Sequence, residues 1–200
     1  MNHFEYDEKA LDHLRQQDVK LAQIIDDVGM IKRSIEPDLF KALISGIVSQ
    51  QISTKAAQTV FGRLKDLIGV VTPETILAQT DDEIKACGLS YRKVGYIKGV
   101  CEAIKDGRLD LDGLGQLSDE DVITELVKLK GIGVWSAEML MIFSLGRRDV
   151  LSYGDLVIRK GLMKLHGLDD LSKQEFAKYK ALYSPYGSVA SLYLWKLANE

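Results

Sequence analysis

Apolar residues recur along this chain with a helical beat, and nowhere with the alternation of a half-buried strand. Phe40, Leu43, Ile44, Ile47 and Val48 step by three and one along a single helix face, and Pro37 suits the first turn of that helix. Asp18 to Val28, Ser53 to Ile68, Tyr91 to Ile104, Asp155 to Leu165, Ser172 to Leu182 and Pro185 to Leu197 read the same way. Gly88, Gly107, Gly146 and Gly167 stand where helix C-terminal glycines belong, while Thr72-Pro73-Glu74 and Ser118-Asp119-Glu120 have the polar chemistry of N-caps. From Ser118 an amphipathic run reaches a Gly131-Ile132-Gly133 break, after which a second apolar helix continues through Phe143. The pattern predicts an all-α protein without linker, low-complexity segment or repeat.

Composition narrows the picture further. Two hundred residues with 46% hydrophobic content suffice for one compact unit, or for two small lobes, with a sizeable core. A net charge of -3 argues against a broad basic surface, so any contact with nucleic acid is expected to be local. Cys87 and Cys101 are the only cysteines, too few for a disulfide framework, a four-cysteine metal site or an iron-sulfur cluster. The N-terminus lacks a basic-then-apolar signal pattern, and no apolar stretch approaches the roughly 20 residues that span a bilayer. A soluble cytosolic protein is expected, associated with the nucleoid if the source is bacterial, and without membrane partners.

The Gly-x-Gly break carries the first chemistry. Gly131 and Gly133 can take positive φ and admit another backbone closely, so the amides of the turn and of the next helix's first residues can point outward together. Such a nest, reinforced by the helix dipole, binds phosphate without reading a base. A bare Gly-x-Gly between helices is also the mark of an ordinary C-cap and tight turn.

The string Leu129-Lys130-Gly131-Ile132-Gly133-Val134-Trp135-Ser136-Ala137 resembles the helix-hairpin-helix signature of the base-excision DNA glycosylases. Asp149-Val150 leading into Gly154-Asp155 resembles the Gly/Pro-rich loop and catalytic aspartate of that superfamily. Ile47 to Ser53, and Pro185-Tyr186-Gly187-Ser188 with Tyr193-Leu194-Trp195, are similar to segments of its alkylation-repair branch, the DNA-3-methyladenine glycosylase II family. Matches run from about residue 37 to the end. The resemblance implies two helical lobes, a middle one over 37–145 and a second from 1–36 plus 146–200, with a site in the cleft between them. It also implies a monomeric enzyme of base excision repair that acts on double-stranded DNA containing a damaged base. An additional N-terminal domain, as some bacterial relatives carry, is not expected.

In such an enzyme Asp155 is the catalytic residue. Cleaving an N-glycosidic bond builds positive charge on the deoxyribose, and a carboxylate near C1′ stabilises that oxocarbenium-like state and orients water. One carboxylate suffices where the base, alkylated on a ring nitrogen, already leaves as a cation. The same position also suits an N-cap on the helix that follows, and the two roles can coexist. Trp135 stands where lyase-competent relatives carry a lysine, and indole offers no nucleophile for a Schiff base, so the implied enzyme is monofunctional and leaves an abasic site.

Trp135, Trp195 and Met139 are the implied base pocket. An extruded cationic purine stacked on indole gains about 0.5 to 2 kcal/mol, although tryptophans also serve as plain core. Gln50, Gln51 and Ser53 form a polar interruption that, in the family, enters the minor groove, with Gln51 or Ser53 as the plug. A helix junction with Ser53 as N-cap accounts for the same residues. Lys130, Gly131, Gly133 and Val134 at the hairpin, with Arg159 and Lys160, are the implied backbone contacts, and Arg92 and Lys93 are weaker ones; isolated basic residues are also often simply solvated. A Na⁺ or K⁺ ion held by the Leu129 and Ile132 carbonyls is implied, with no redox or organic cofactor.

Two positions depart from the family pattern: Gly154 where many relatives have a second acid, and Gly187 where an arginine commonly precedes the last helix's serine. The implied activity is excision of alkylated purines, 3-methyladenine foremost and 7-methylguanine among others. Alternatives are a glycosylase for deaminated or oxidised bases, and a non-catalytic helix-hairpin-helix DNA-binding module, which has no need of a carboxylate at residue 155.

Overall fold

A computed structural model describes residues 2–199. In chain order its helices are α1 (Glu8–Gln17), α2 (Val19–Val28), α3 (Leu39–Ser49), α4 (Thr54–Ile68), α5 (Pro73–Leu77), α6 (Asp81–Ala86), α7 (Tyr91–Lys105), α8 (Asp119–Leu126), α9 (Val134–Phe143), α10 (Leu156–His166), α11 (Lys173–Tyr183) and α12 (Gly187–Ala198). A short 3-10 turn, Gly113–Gln116, precedes α8, and an isolated antiparallel bridge pairs His3 with Ser34. Among the described residues no helix is long and apolar enough to cross a membrane.

The chain divides into two compact units, Met1–Ile35 with Met141–Glu200, and Glu36–Leu140. The division falls inside α9, between Leu140 and Met141, whereas the family resemblance implied a middle lobe ending after that helix, at residue 145.

Local chemistry explains most helix boundaries. Asp18, Ser53, Ser90, Ser118 and Ser172 each precede a helix, and their side chains accept from first-turn amides, which would otherwise lack partners. Thr72 and Thr80 form capping boxes with Thr75 and Glu83. Gly88, Gly107, Gly146 and Gly167 all adopt positive φ just beyond helix ends. Two details correct the sequence reading. Asp38, not the region around Pro37, caps α3, so Pro37 lies outside the helix. Helix α1, which the apolar pattern did not single out, is capped by Asp7 and buries Ala10, Leu11 and Leu14.

In the first unit α12 is the central helix. Gly187 to Leu194 is buried without interruption, and α10, α2, α1 and α11 pack around it. Its closest neighbour is α10, and the reason is Gly161: a Cβ there would stand 2.5 Å from the Leu194 carbonyl oxygen. In the second unit α7 packs against α3, α5 and α6, and α3 packs against α4, over a core that includes Ile44, Ile47, Leu64, Ile84, Val94 and Ile97.

Candidate active site

Asp155 lies in the first unit at the start of α10, only 6% exposed. Its Oδ1 accepts from Val157 N at 2.8 Å and Ile158 N at 3.0 Å, the N-cap geometry. Its Oδ2 accepts from Trp195 Nε1 at 3.3 Å. The carboxylate is therefore set against the positive end of a helix and turned by an indole N–H.

The loop leading to Asp155 is fixed by α12. Ser188 Oγ donates to Arg147 O at 2.7 Å and accepts from Val150 N at 2.9 Å, while Ser191 Oγ donates to Val150 O at 3.3 Å. Asp149 accepts from Gly187 N at 3.0 Å and from Ser184 Oγ at 2.5 Å. A Cβ at Gly187 would meet Asp149 Oδ1 at 3.1 Å and Leu151 N at 3.3 Å, so a side chain there would need the loop to give by a few tenths of an ångström. Gly154 is exposed, directly before the cap.

Trp195 is half-buried. Its ring packs on Phe143, centroids 5.5 Å apart, and the Arg33 guanidinium sits 5.1 Å above the same Phe143 ring. Neither Phe143 nor Arg33 was legible as a site residue, because nothing local in sequence ties residues 33, 143 and 195 together. Arg159 is half-buried with its guanidinium 5.1 Å above the Tyr153 ring, and its buried Nε has no hydrogen-bond partner; Lys160 is exposed.

The second unit holds the hairpin. Leu129 to Ile132 is a turn closed by Ile132 N donating to Leu129 O at 3.1 Å, with Gly131 at φ 90° in its third position. A Cβ at Gly131 would stand 2.3 Å from Tyr96 Cδ2, so the close approach is to an aromatic ring and not to another backbone. Gly133 differs from the expectation: it does not adopt positive φ, and a Cβ there would meet nothing within 4 Å. It is exposed, as are Lys130, Val134 at 53% and Trp135 at 46%, so the first turn of α9 faces solvent. Met139, half-buried, lies four residues beyond Trp135 on α9.

The 50–53 turn belongs to the same unit. Gln50 turns inward, its Nε2 donating to Gly131 O at 2.7 Å. Gln51 is exposed with φ 58°, the one non-glycine residue of positive φ among those described. Ser53 caps α4 through Ala56 N at 3.3 Å. Lys93, expected at most as a weak DNA contact, instead donates to Val48 O at 2.8 Å and Gln50 O at 2.6 Å, and burial holds its ammonium below the usual lysine range. Arg92 is exposed.

No cluster of three or more His, Cys, Asp or Glu side chains among the described residues could hold a metal ion. Backbone carbonyls are the remaining donors at the hairpin. Each carbonyl oxygen has two lone pairs, and the Leu129 oxygen gives one to Ile132 N, which leaves oxygen-donor capacity of the kind hard cations prefer.

Comparison with known proteins places this geometry. Residues 44–184 match the family model described as "HhH-GPD superfamily base excision DNA repair protein". DNA-3-methyladenine glycosylase 1 of Schizosaccharomyces pombe is 36% identical over 199 residues, covering 96% of this chain and 87% of that protein. The crystal structure of a DNA-3-methyladenine glycosidase from Bacillus halodurans superposes with a TM-score of 0.89 at 39% identity, covering 99% of this chain and 93% of that one. The Schizosaccharomyces pombe 3-methyladenine DNA glycosylase in complex with abasic DNA gives 0.78 at 35% identity, covering 94% and 95%.

Proposed function

Given that the chain belongs to the HhH-GPD superfamily of base excision DNA repair proteins, we propose that it is a monofunctional DNA glycosylase that hydrolyses the N-glycosidic bond of alkylated purines, 3-methyladenine foremost. The observation that carries this reading is the Asp155 carboxylate, buried and oriented by the α10 amides and the Trp195 indole. A DNA-binding module needs no such group.

In this reading duplex DNA is anchored by its phosphates at the exposed first turn of α9, where Gly133 leaves room for a phosphate beside backbone amides. Lys130, Arg159 and Lys160 supply charge to the backbone, and Gln51 occupies the space vacated by the flipped nucleotide. The Leu129 and Ile132 carbonyls would hold a Na⁺ or K⁺ ion, which would supply positive charge beside the DNA backbone. The extruded cationic base stacks on the exposed indole of Trp135.

Asp155 acts on the sugar. As the base departs, positive charge develops at C1′ and the fixed carboxylate stabilises it with no reorganisation at the moment of reaction. The cationic base needs no protonation, so a single carboxylate serves. Water then completes the hydrolysis, because Trp135 supplies no amine to capture C1′. Bases of lower leaving ability would gain less from this arrangement.

The test is incubation of the protein with methylated duplex DNA and chromatography of released bases, with borohydride added in parallel. Release of 3-methyladenine, an intact abasic strand and no trapped adduct are expected. A trapped covalent complex would mean that another amine is the nucleophile, and absence of any released base would remove the glycosylase reading.

A further inference from the structure

The turn that presents Gln51 is built in a way its sequence does not favour. Ile52 N donates to Ser49 O at 3.4 Å, Gln50 has φ -55° and ψ 129°, and Gln51 has φ 58°. This is the type II pattern, whose third residue needs positive φ and is ordinarily glycine or asparagine. Glutamine at that place carries a Cβ against the following carbonyl, a conformation that side chains other than glycine adopt only when their surroundings impose it.

The surroundings that impose it converge from α7. Lys93 Nζ reaches back to the carbonyls of Val48, in the last turn of α3, and Gln50, inside the turn itself. These oxygens lie 45 and 43 residues earlier in the chain. Gln50 Nε2 in turn grips the hairpin at Gly131 O, and Tyr96, one turn along α7 from Lys93, packs on Gly131. A half-buried ammonium bonded to two backbone carbonyls, one at the end of α3 and one inside the turn, is poorly placed to serve an external phosphate.

We propose that Lys93 is a positioning residue: by bonding the Val48 and Gln50 carbonyls it locks the 49–52 turn in the conformation that projects Gln51 into the duplex, and through Gln50 it ties that projection to the hairpin. The proposal rests on the glycosylase reading. Lys93 stabilises a strained turn whose tip residue, Gln51, is exposed, so the benefit falls on DNA binding and base flipping.

The experiment compares the parent with Lys93→Met, which keeps the aliphatic stem and removes the ammonium. Base release from methylated duplex is expected to fall by on the order of tenfold, the consequence of losing about one decade of population of a single conformer. Release from methylated single strand, where no gap has to be filled, stays at the parent's rate. The salt dependence of binding to undamaged duplex is unchanged, whereas a lysine that touched a phosphate would lower the slope of log K against log salt by about 0.9. Such a lowered slope, an equal loss on both substrates, or no loss on duplex each overturns the clamp. If the parent itself releases no base, the glycosylase reading fails instead, which separates the two failures.

A second variant guards against misfolding. Gln51→Gly supplies the positive φ without a Cβ. The melting-temperature loss caused by Lys93→Met should therefore be smaller in the Gln51→Gly background than in the parent, and a Lys93→Met protein that fails to fold alone should fold when paired with Gln51→Gly. Strictly additive losses, or a double variant that also fails to fold, mean that Lys93 does not hold residue 51 and overturn the proposal.

Discussion

Replacing Asp155 with asparagine separates its two roles, because the substitution keeps the shape of the side chain and removes the charge. Asparagine caps helices about as well as aspartate, so its Oδ1 can still take the Val157 and Ile158 amides. Its Nδ2 would then face Trp195 Nε1 at the 3.3 Å now spanned by a hydrogen bond, donor against donor. The loss of that bond costs about 1–3 kcal/mol of stability, which an ordinary domain survives. The catalytic loss is larger. A unit charge about 4 Å from the positive charge developing on the sugar is worth about 4 kcal/mol at an effective dielectric of 20. At one decade per 1.36 kcal/mol, Asp155→Asn should lower the single-turnover rate of base release by about 10³-fold. Affinity for abasic duplex should change little, since the charge acts on the transition state and not on the bound product. The assay is single-turnover release of 3-methyladenine from methylated duplex, alongside a binding titration and a thermal melt. A variant that folds and releases base within tenfold of the parent's rate would refute the assignment of Asp155 to the reaction.

Three further outcomes follow from the geometry. A Gly133→Leu variant should melt like the parent, because the position is exposed and a Cβ there meets nothing within 4 Å, yet bind undamaged and lesion-containing duplexes more weakly by similar factors, whereas Trp135→Ala should lose mainly the affinity for the flipped cationic base; normal binding of undamaged DNA by a folded Gly133→Leu protein would mean that the hairpin is a turn and no anchor. Gly161→Ala drives a methyl group to 2.5 Å from the Leu194 carbonyl oxygen, so it should cost about 1–3 kcal/mol of stability and, by moving the neighbouring Trp195 off Asp155, lower base release more than DNA affinity; thermal melts and paired rate and binding measurements check both. Burial lowers the pKa of His166 despite the nearby Asp18 carboxylate, with Tyr179, Tyr183 and the Lys20 ammonium also against it. Because the unfolded chain then binds the proton more readily than the folded one, stability is held above the unfolded value of about 6.5 and lost as pH falls through it; the melting temperature should drop on acidification through that range, with a shallower drop in His166→Gln.

The sequence by itself determined the helical class, most helix boundaries and the chemical identity of the central groups. Those features are written locally: apolar spacing of three and four, a Ser, Thr or Asp before most helices, a glycine after several, and the run from Leu129 to Ala137 with Gly154-Asp155 beyond it. Tertiary structure decided which of these residues cooperate. Trp195 comes to Asp155 because α10 and α12 approach over Gly161, a contact between residues 33 positions apart that no local pattern encodes. Lys93 reads in sequence as one more surface cation, and only the folding of α7 against the end of α3 turns it inward. The two hairpin glycines look equivalent in the chain, yet Tyr96 makes Gly131 indispensable to packing while Gly133 faces open space. Side-chain type and helical period are properties of neighbours in sequence. The partner of a hydrogen bond, and the room left for a Cβ, are set by residues that only folding brings within a few ångströms.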